Sequence, residues 1–124
     1  MKTIAGLMLC AALLPYVAAI VAKAGGKGFD NEQPRIWLGQ LQGWRARADA
    51  AQKNLFEGLP FFYAAVLFAL FNHAETSSLS MWMLAWIVVR LLYIGVYVAG
   101  KGAVRSLLWA IALVLNIVIL FAGV

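Results

Sequence analysis

The sequence predicts an all-α membrane protein built as a bundle of four transmembrane helices. Of its 124 residues, 65% are hydrophobic and only 12% are charged, whereas an ordinary soluble domain is about half apolar. The mean hydropathy is +0.87. The apolar residues fall in four runs, each close to the roughly 20 residues that cross a bilayer, and the charges gather between them. Four such runs leave no room for a water-soluble module. Residues 1–124 therefore read as one domain whose function sits in the bundle or its short loops.

The first run extends from about Thr3 to Ala22 and is ended by Lys23, Gly25, Gly26 and Lys27. Its start resembles a secretory signal, with small residues around Ala18–Ala22 where cleavage would fall. It is read as a retained helix, because removing it leaves an odd number of spans whose loop charges fit the orientation rule no better. Cys10, the only cysteine, lies inside this run. That excludes an internal disulfide and a zinc-type Cys/His cluster. Lipoprotein processing is disfavoured because Leu9 stands where a small residue is expected.

The polar stretch that follows is the only sizeable loop, with Asp30, Asn31, Glu32, Pro34, Arg35, Arg45, Arg47 and Asp49. It carries Trp37 and Trp44, amphipathic side chains that sit at headgroup depth. A second run, from about Ala51 to Phe71, begins with Lys53, Asn54 and Glu57 and is expected to kink at Pro60. His73, in the short polar turn beyond it, reads as a solvated loop residue. A third run extends from about Leu79 to Ala99 with Arg90 near its middle, and Gly100-Lys101-Gly102 breaks it. The fourth, from about Val104 to Phe121, opens with Arg105 and Ser106.

The net charge is +5, but the cations flank apolar segments and do not form a stripe interleaved with exposed aromatics. Nucleic acid is thus excluded as a partner, and the lipid bilayer itself is the implied one. The loop after run one and the start of run two hold Lys23, Lys27, Arg35, Arg45, Arg47 and Lys53, while the turn between runs three and four adds Lys101 and Arg105. The turn between runs two and three has no Lys or Arg. Cations stay on the cytoplasmic side of an inner membrane, which places both basic loops in the cytoplasm and both termini outside.

A mid-helix arginine costs about 2.5–3.5 kcal/mol to insert, so Arg90 should face the bundle interior. Arg90, Tyr93 and Tyr97 follow at i, i+3 and i+7 and share a face. Asn54 and Glu57 share another on the second span. Two readings stand open. A Glu57–Arg90 ion pair fixes helix register and implies no ligand. Alternatively, Arg90, Lys53 and Arg105 outnumber the one acid within a span and form a pocket that needs an outside anion, with Arg suited to carboxylates. Arg105-Ser106 at a helix start would add free N–H groups and the positive end of the dipole. Asn116 reads as interhelical hydrogen-bond glue. Trp82, Trp86, Trp109 and Phe61-Phe62-Tyr63 read as packing or lipid contact.

Four segments in order resemble the membrane-associated proteins in eicosanoid and glutathione metabolism, the MAPEG family. They are Phe29-Asp30-Asn31-Glu32-Gln33-Pro34-Arg35, which looks like the aromatic-Asp-Asn-x-x-Pro-Arg of the bacterial branch; Lys53-Asn54-Leu55-Phe56-Glu57-Gly58-Leu59-Pro60-Phe61, similar to Arg-Asn-x-x-Glu-x-x-x-Pro-Phe; Arg90 with Tyr93 and Tyr97; and Arg105-Ser106. The resemblance implies a homotrimer that binds glutathione as co-substrate between subunits near the cytoplasmic side and joins it to a lipophilic electrophile or reduces a hydroperoxide. It implies Arg105, with Ser106, as the catalytic pair that steadies a thiolate, and Lys53, Asn54, Glu57, Arg90, Tyr93 and Tyr97 as the glutathione-binding set. Lys53 replaces an Arg, Tyr93 a His of some animal enzymes, and Ala50 another glutathione-contacting Arg. Arg47 compensates only if its helix starts early enough to hold it. The competing expectation is a noncatalytic scaffold or accessory subunit of a larger membrane complex. A channel is disfavoured, because so small a bundle has too few polar residues to line a path.

Overall fold

A computed structural model describes residues 1–124. Five helices follow one another: α1 (Lys2–Lys23), α2 (Pro34–Gly39), α3 (Trp44–Phe71), α4 (Thr76–Val98) and α5 (Gly102–Leu120). There are no strands. All but α2 are long and apolar enough to cross a membrane. The protein is a multi-pass membrane bundle, and its outward faces carry Leu13, Ile20, Leu67, Leu92, Leu107, Ile111 and Val114, where a soluble protein would place charge.

The bundle closes through small residues. Ala11, Leu14, Ala18 and Ala22 recur at helical spacing on the buried face of α1, opposite Ala48, Ala51, Leu55, Ala65 and Ala69 of α3. In lipid no hydrophobic force joins two apolar helices, so close van der Waals approach across such faces holds them. α1 packs chiefly on α3, and α4 on α5 and α3. Side-chain hydrogen bonds also cross the first pair, among them one that the Tyr63 hydroxyl donates to the Met8 carbonyl at 2.8 Å. Tyr63→Phe keeps the ring and removes this bond, so we expect a loss of about 0.5–1 kcal/mol, read as a lowered unfolding midpoint in mild detergent.

Two elements differ from the expectation. The long loop contains the short helix α2, started by Pro34, whose missing N–H costs nothing at a first helical position. The second span begins at Trp44 rather than near Ala51. Ala46, Ala48, Ala50 and Ala51 are strong helix formers, and Asp49 bonds Lys53 one turn on at 3.0 Å, a favourable acid-before-base order. With 28 residues, α3 is about 42 Å long and exceeds the ~30 Å hydrocarbon. Its first turns therefore stand in the headgroup region. The helix continues unbroken through Pro60.

The chain runs up and down. At one end the Arg45 guanidinium donates to the Ala22 carbonyl at 2.9 Å and that of Arg47 to the Val98 carbonyl at 3.0 Å. Gly100 turns the chain from α4 into α5 at φ +79° beneath the Arg47 guanidinium, which a Cβ there would approach to 3.5 Å. Lys23, Lys27, Arg35, Arg45, Arg47, Lys53, Lys101 and Arg105 belong to this end, eight of the ten cations. The opposite end gathers both termini with the α3–α4 turn: Met1 and Thr3 border Thr76 and Ser77, and Gly123 lies against Asn72. His73 is exposed there. In the same turn the Ser77 and Ser78 hydroxyls donate to the Glu75 carboxylate and hold its pKa below the usual carboxylate range. The lowered pKa makes this contact stabilising above that range and lost on acidification through it.

Candidate functional site

Helical spacing builds one cleft from three helices. Asn54, Glu57, Gly58 and Phe61 of α3 face Trp86 and Arg90 of α4, and Trp109, Ala112, Leu113 and Asn116 of α5 close the third side of a cleft of about 250 Å³. Toward the basic end it continues into a recess of about 230 Å³ lined by Asn54, Tyr93, Tyr97, Arg105, Ser106 and Trp109. The two share Asn54 and Trp109. A smaller hollow follows among Arg47, Tyr97, Gly100, Lys101 and Arg105.

Arg90 is 2% exposed and lies eight residues, about 12 Å along the helix axis, from the basic end of α4. Its Nη2 donates to the Asn54 backbone carbonyl at 3.2 Å and to Asn54 Oδ1 at 3.0 Å. The Glu57–Arg90 ion pair is not formed: the only ion pair in the chain is Asp49–Lys53. The reason is rotational. Residues on a helix are about 100° apart, and α3 turns Asn54 and Gly58 toward Arg90, which leaves Glu57 on the exposed side of α3. A Cβ on Gly58 would come within 3.3 Å of Arg90 Nη2. The missing side chain makes the groove in which the guanidinium rests.

From Arg90 a ladder of cations and rings leads to the basic end. The Arg90 guanidinium lies 4.5 Å from the Tyr93 ring centroid, Tyr93 meets Tyr97 edge-on at 5.5 Å, and the Arg105 guanidinium lies 4.5 Å from the Tyr97 centroid. Each cation–ring contact contributes about 0.5–2 kcal/mol. These contacts fix the positions of the two guanidinium groups and leave their charge unneutralised. Arg105 makes no ion pair. The Arg105 N–H bonds the Lys101 carbonyl at 2.9 Å, so the free N–H groups expected at Arg105-Ser106 belong instead to Gly102–Val104, the first turn of α5.

The structure thus brings together Asn54, Glu57, Arg90, Tyr93, Tyr97, Arg105 and Ser106, but not Lys53. Its side chain is 69% exposed and held by Asp49, in a separate recess with Arg35, Leu38 and Phe56. Arg47 joins the site, because α3 starts early enough to carry it. The interhelical glue expected of Asn116 is not made either: Asn116 is 6% exposed and its Oδ1 has no partner. Trp86, Gly58 and Trp109 were not legible as site residues. Trp86 precedes Arg90 by four and Trp109 follows Arg105 by four, so helical spacing does carry that signal.

Arg47, Arg90, Lys101 and Arg105 surround these hollows against the single carboxylate of Glu57. Such an arrangement suits a small anionic ligand at the membrane surface, with an apolar approach from the bilayer side past Phe61 and Leu113. Fold and site together define a four-helix integral membrane protein with a cation-rich cleft opening at one membrane face. The chain belongs to the MAPEG family, whose profile matches residues 3–124. No curated protein and no solved structure matches it significantly.

Proposed function

We propose that the protein is a glutathione-dependent transferase or peroxidase acting on lipophilic electrophiles or hydroperoxides that enter from the bilayer. The observation that supports this best is the Arg105 guanidinium, stacked on Tyr97 and free of any acid, where α5 begins. Glutathione brings two carboxylates and a thiol. Arg90, Arg47 and Lys101 supply the matching charge for the former, Arg90 being already oriented by Asn54. Arg105, with the Ser106 hydroxyl beside it, stabilises the thiolate, the nucleophilic form of the sulfur. Asn54, Tyr93 and Tyr97 shape the cleft, and Glu57 faces the glutathione ammonium or a neighbouring copy.

The reading includes a homotrimer in a bacterial inner membrane, with the basic end cytoplasmic and both termini outside. Titrating glutathione into the purified full-length protein, together with an assay of aryl-halide conjugation, tests it. Binding and turnover that both depend on Arg105 support it, and the absence of both overturns it. One observation favours a noncatalytic scaffold. Lys53 is drawn off to Asp49 and Ala50 carries no charge, so two cationic contacts that the resemblance implies are missing from a single chain. A stoichiometric partner co-purifying with protein that does not bind glutathione would favour that second reading.

A further inference from the structure

Apart from the cleft, α2 and the first turns of α3 enclose an open recess of about 400 Å³ lined by Arg35, Leu38, Asp49, Gln52, Lys53 and Phe56. None of these residues lines the cleft. Arg35 and Lys53 are exposed at its rim. Asp49, only 5% exposed, is taken up by Lys53 at 3.0 Å, and Arg35 has no acid of its own, so the recess keeps one positive charge. Because α3 is longer than the hydrocarbon is thick, this part of it stands at headgroup depth. Beneath the charges the wall turns apolar. Phe56 meets Tyr16 of α1 edge-on at 5.7 Å, and Leu13 and Leu9, three and seven residues before Tyr16, continue the same face of α1 toward the bilayer centre. All four side chains are exposed.

We infer that the recess binds the headgroup of an anionic phospholipid, with an acyl chain lying along Phe56, Tyr16 and Leu13. The order of the two parts decides the class. A charged hollow directly above an apolar furrow matches an amphiphile: a soluble phosphate would leave the furrow unused, and a fatty alcohol would leave Arg35 unmet. One phosphodiester cancels the one surplus charge. The planar fork of Arg35 suits two phosphate oxygens, the Lys53 ammonium adds a point charge held in place by Asp49, and the Gln52 carboxamide accepts from a headgroup hydroxyl. Choline would set a further cation beside Arg35 and Lys53 and has no N–H to donate, so the site selects phosphatidylglycerol over phosphatidylcholine. The inference also gives the Asp-Asn-x-x-Pro-Arg loop a task outside the proposed reaction and independent of it. Asp30 Oδ1 accepts the Glu32 N–H at 2.9 Å and Pro34 opens α2, which fixes where Arg35 leaves the loop.

The test uses the full-length protein, stripped of lipid in mild detergent and titrated with dioleoylphosphatidylglycerol, dioleoylphosphatidylcholine and glycerophosphoglycerol, the anionic headgroup without chains. Retained lipid is read by native mass spectrometry and its effect by the unfolding midpoint. Phosphatidylglycerol is expected to bind about tenfold or more tightly than phosphatidylcholine and to raise the midpoint, as a ligand of the folded state does. Arg35→Gln should abolish most of that preference. Phe56→Ser should weaken both lipids alike, through the lost apolar contact. Lys27→Gln removes an exposed cation of the same loop outside the recess and should leave binding near the wild-type level. Arg35 and Lys27 are both exposed, so neither change endangers the fold. An equal loss in Lys27→Gln and Arg35→Gln would mean diffuse attraction between a basic end and an acidic leaflet and would overturn the inference. So would equal affinities for the two lipids, binding of glycerophosphoglycerol as tight as that of the lipid, or no retained lipid at all because a second copy covers this side of α1 and α3.

Discussion

Replacing Arg105 by Ala is expected to lower glutathione-dependent kcat/KM toward an aryl halide about 10²–10³-fold, the usual loss when one charge-stabilising donor is removed from a reacting anion. The expectation follows from what surrounds the side chain. Arg105 has no acid to neutralise it, and its one strong contact, with the Tyr97 ring, positions the charge without cancelling it. A cation beside a bound thiol would favour the thiolate and lower the thiol's pKa from its ordinary value of about 8.5. Removing it raises that pKa, so the variant's pH–rate profile should move to higher pH and recover part of its rate in alkaline buffer. Arg105→Lys should fall between, since it keeps the charge but loses the planar group that stacks on Tyr97. Full activity in Arg105→Ala at neutral pH would sink the proposed role.

The second large effect is expected at Arg90, where stability and binding should part. A buried cation with no carboxylate partner is costly, and its two bonds reach one asparagine only. Arg90→Leu removes that cost and leaves an apolar residue in an apolar bundle, so the unfolding midpoint in detergent should stay level or rise. Glutathione affinity should fall about 10- to 100-fold, as when a charge-assisted hydrogen-bond donor is withdrawn from a carboxylate. A structural Arg90 would behave oppositely. If Arg90→Leu fails to assemble and the double variant Arg90→Leu/Asn54→Leu assembles no better, the guanidinium serves the fold rather than a ligand.

Much of this arrangement is legible along the chain, because some of its energetics are local. The 28-residue length of α3 is half visible: hydropathy marks the part inside lipid, and the alanine-rich stretch before it carries only a helix-propensity signal. Arg47 was conditional for that reason. Trp86 and Asn116 read as packing and glue because periodicity places a residue on a face without saying what the opposite face offers. The Glu57–Arg90 pairing failed on the same ground. Two opposite charges on neighbouring spans look like partners until helix rotation is known.

By itself the sequence determined the four crossings, the grouping of eight cations at one end and the position of Arg90 on an inward face. Each of these is set by the transfer energy of single residues between water and lipid, which depends on residue type and depth alone. The tertiary structure decided that Asn54 rather than Glu57 receives Arg90, that Lys53 turns to Asp49 while Arg47 enters the site, and that Trp86, Arg90 and Asn116 each bury a polar atom without a partner. Those outcomes depend on the rotation of each helix about its axis. That rotation is set jointly by the alanine faces of α1 and α3 and by the groove at Gly58, and it exists only once the helices have packed.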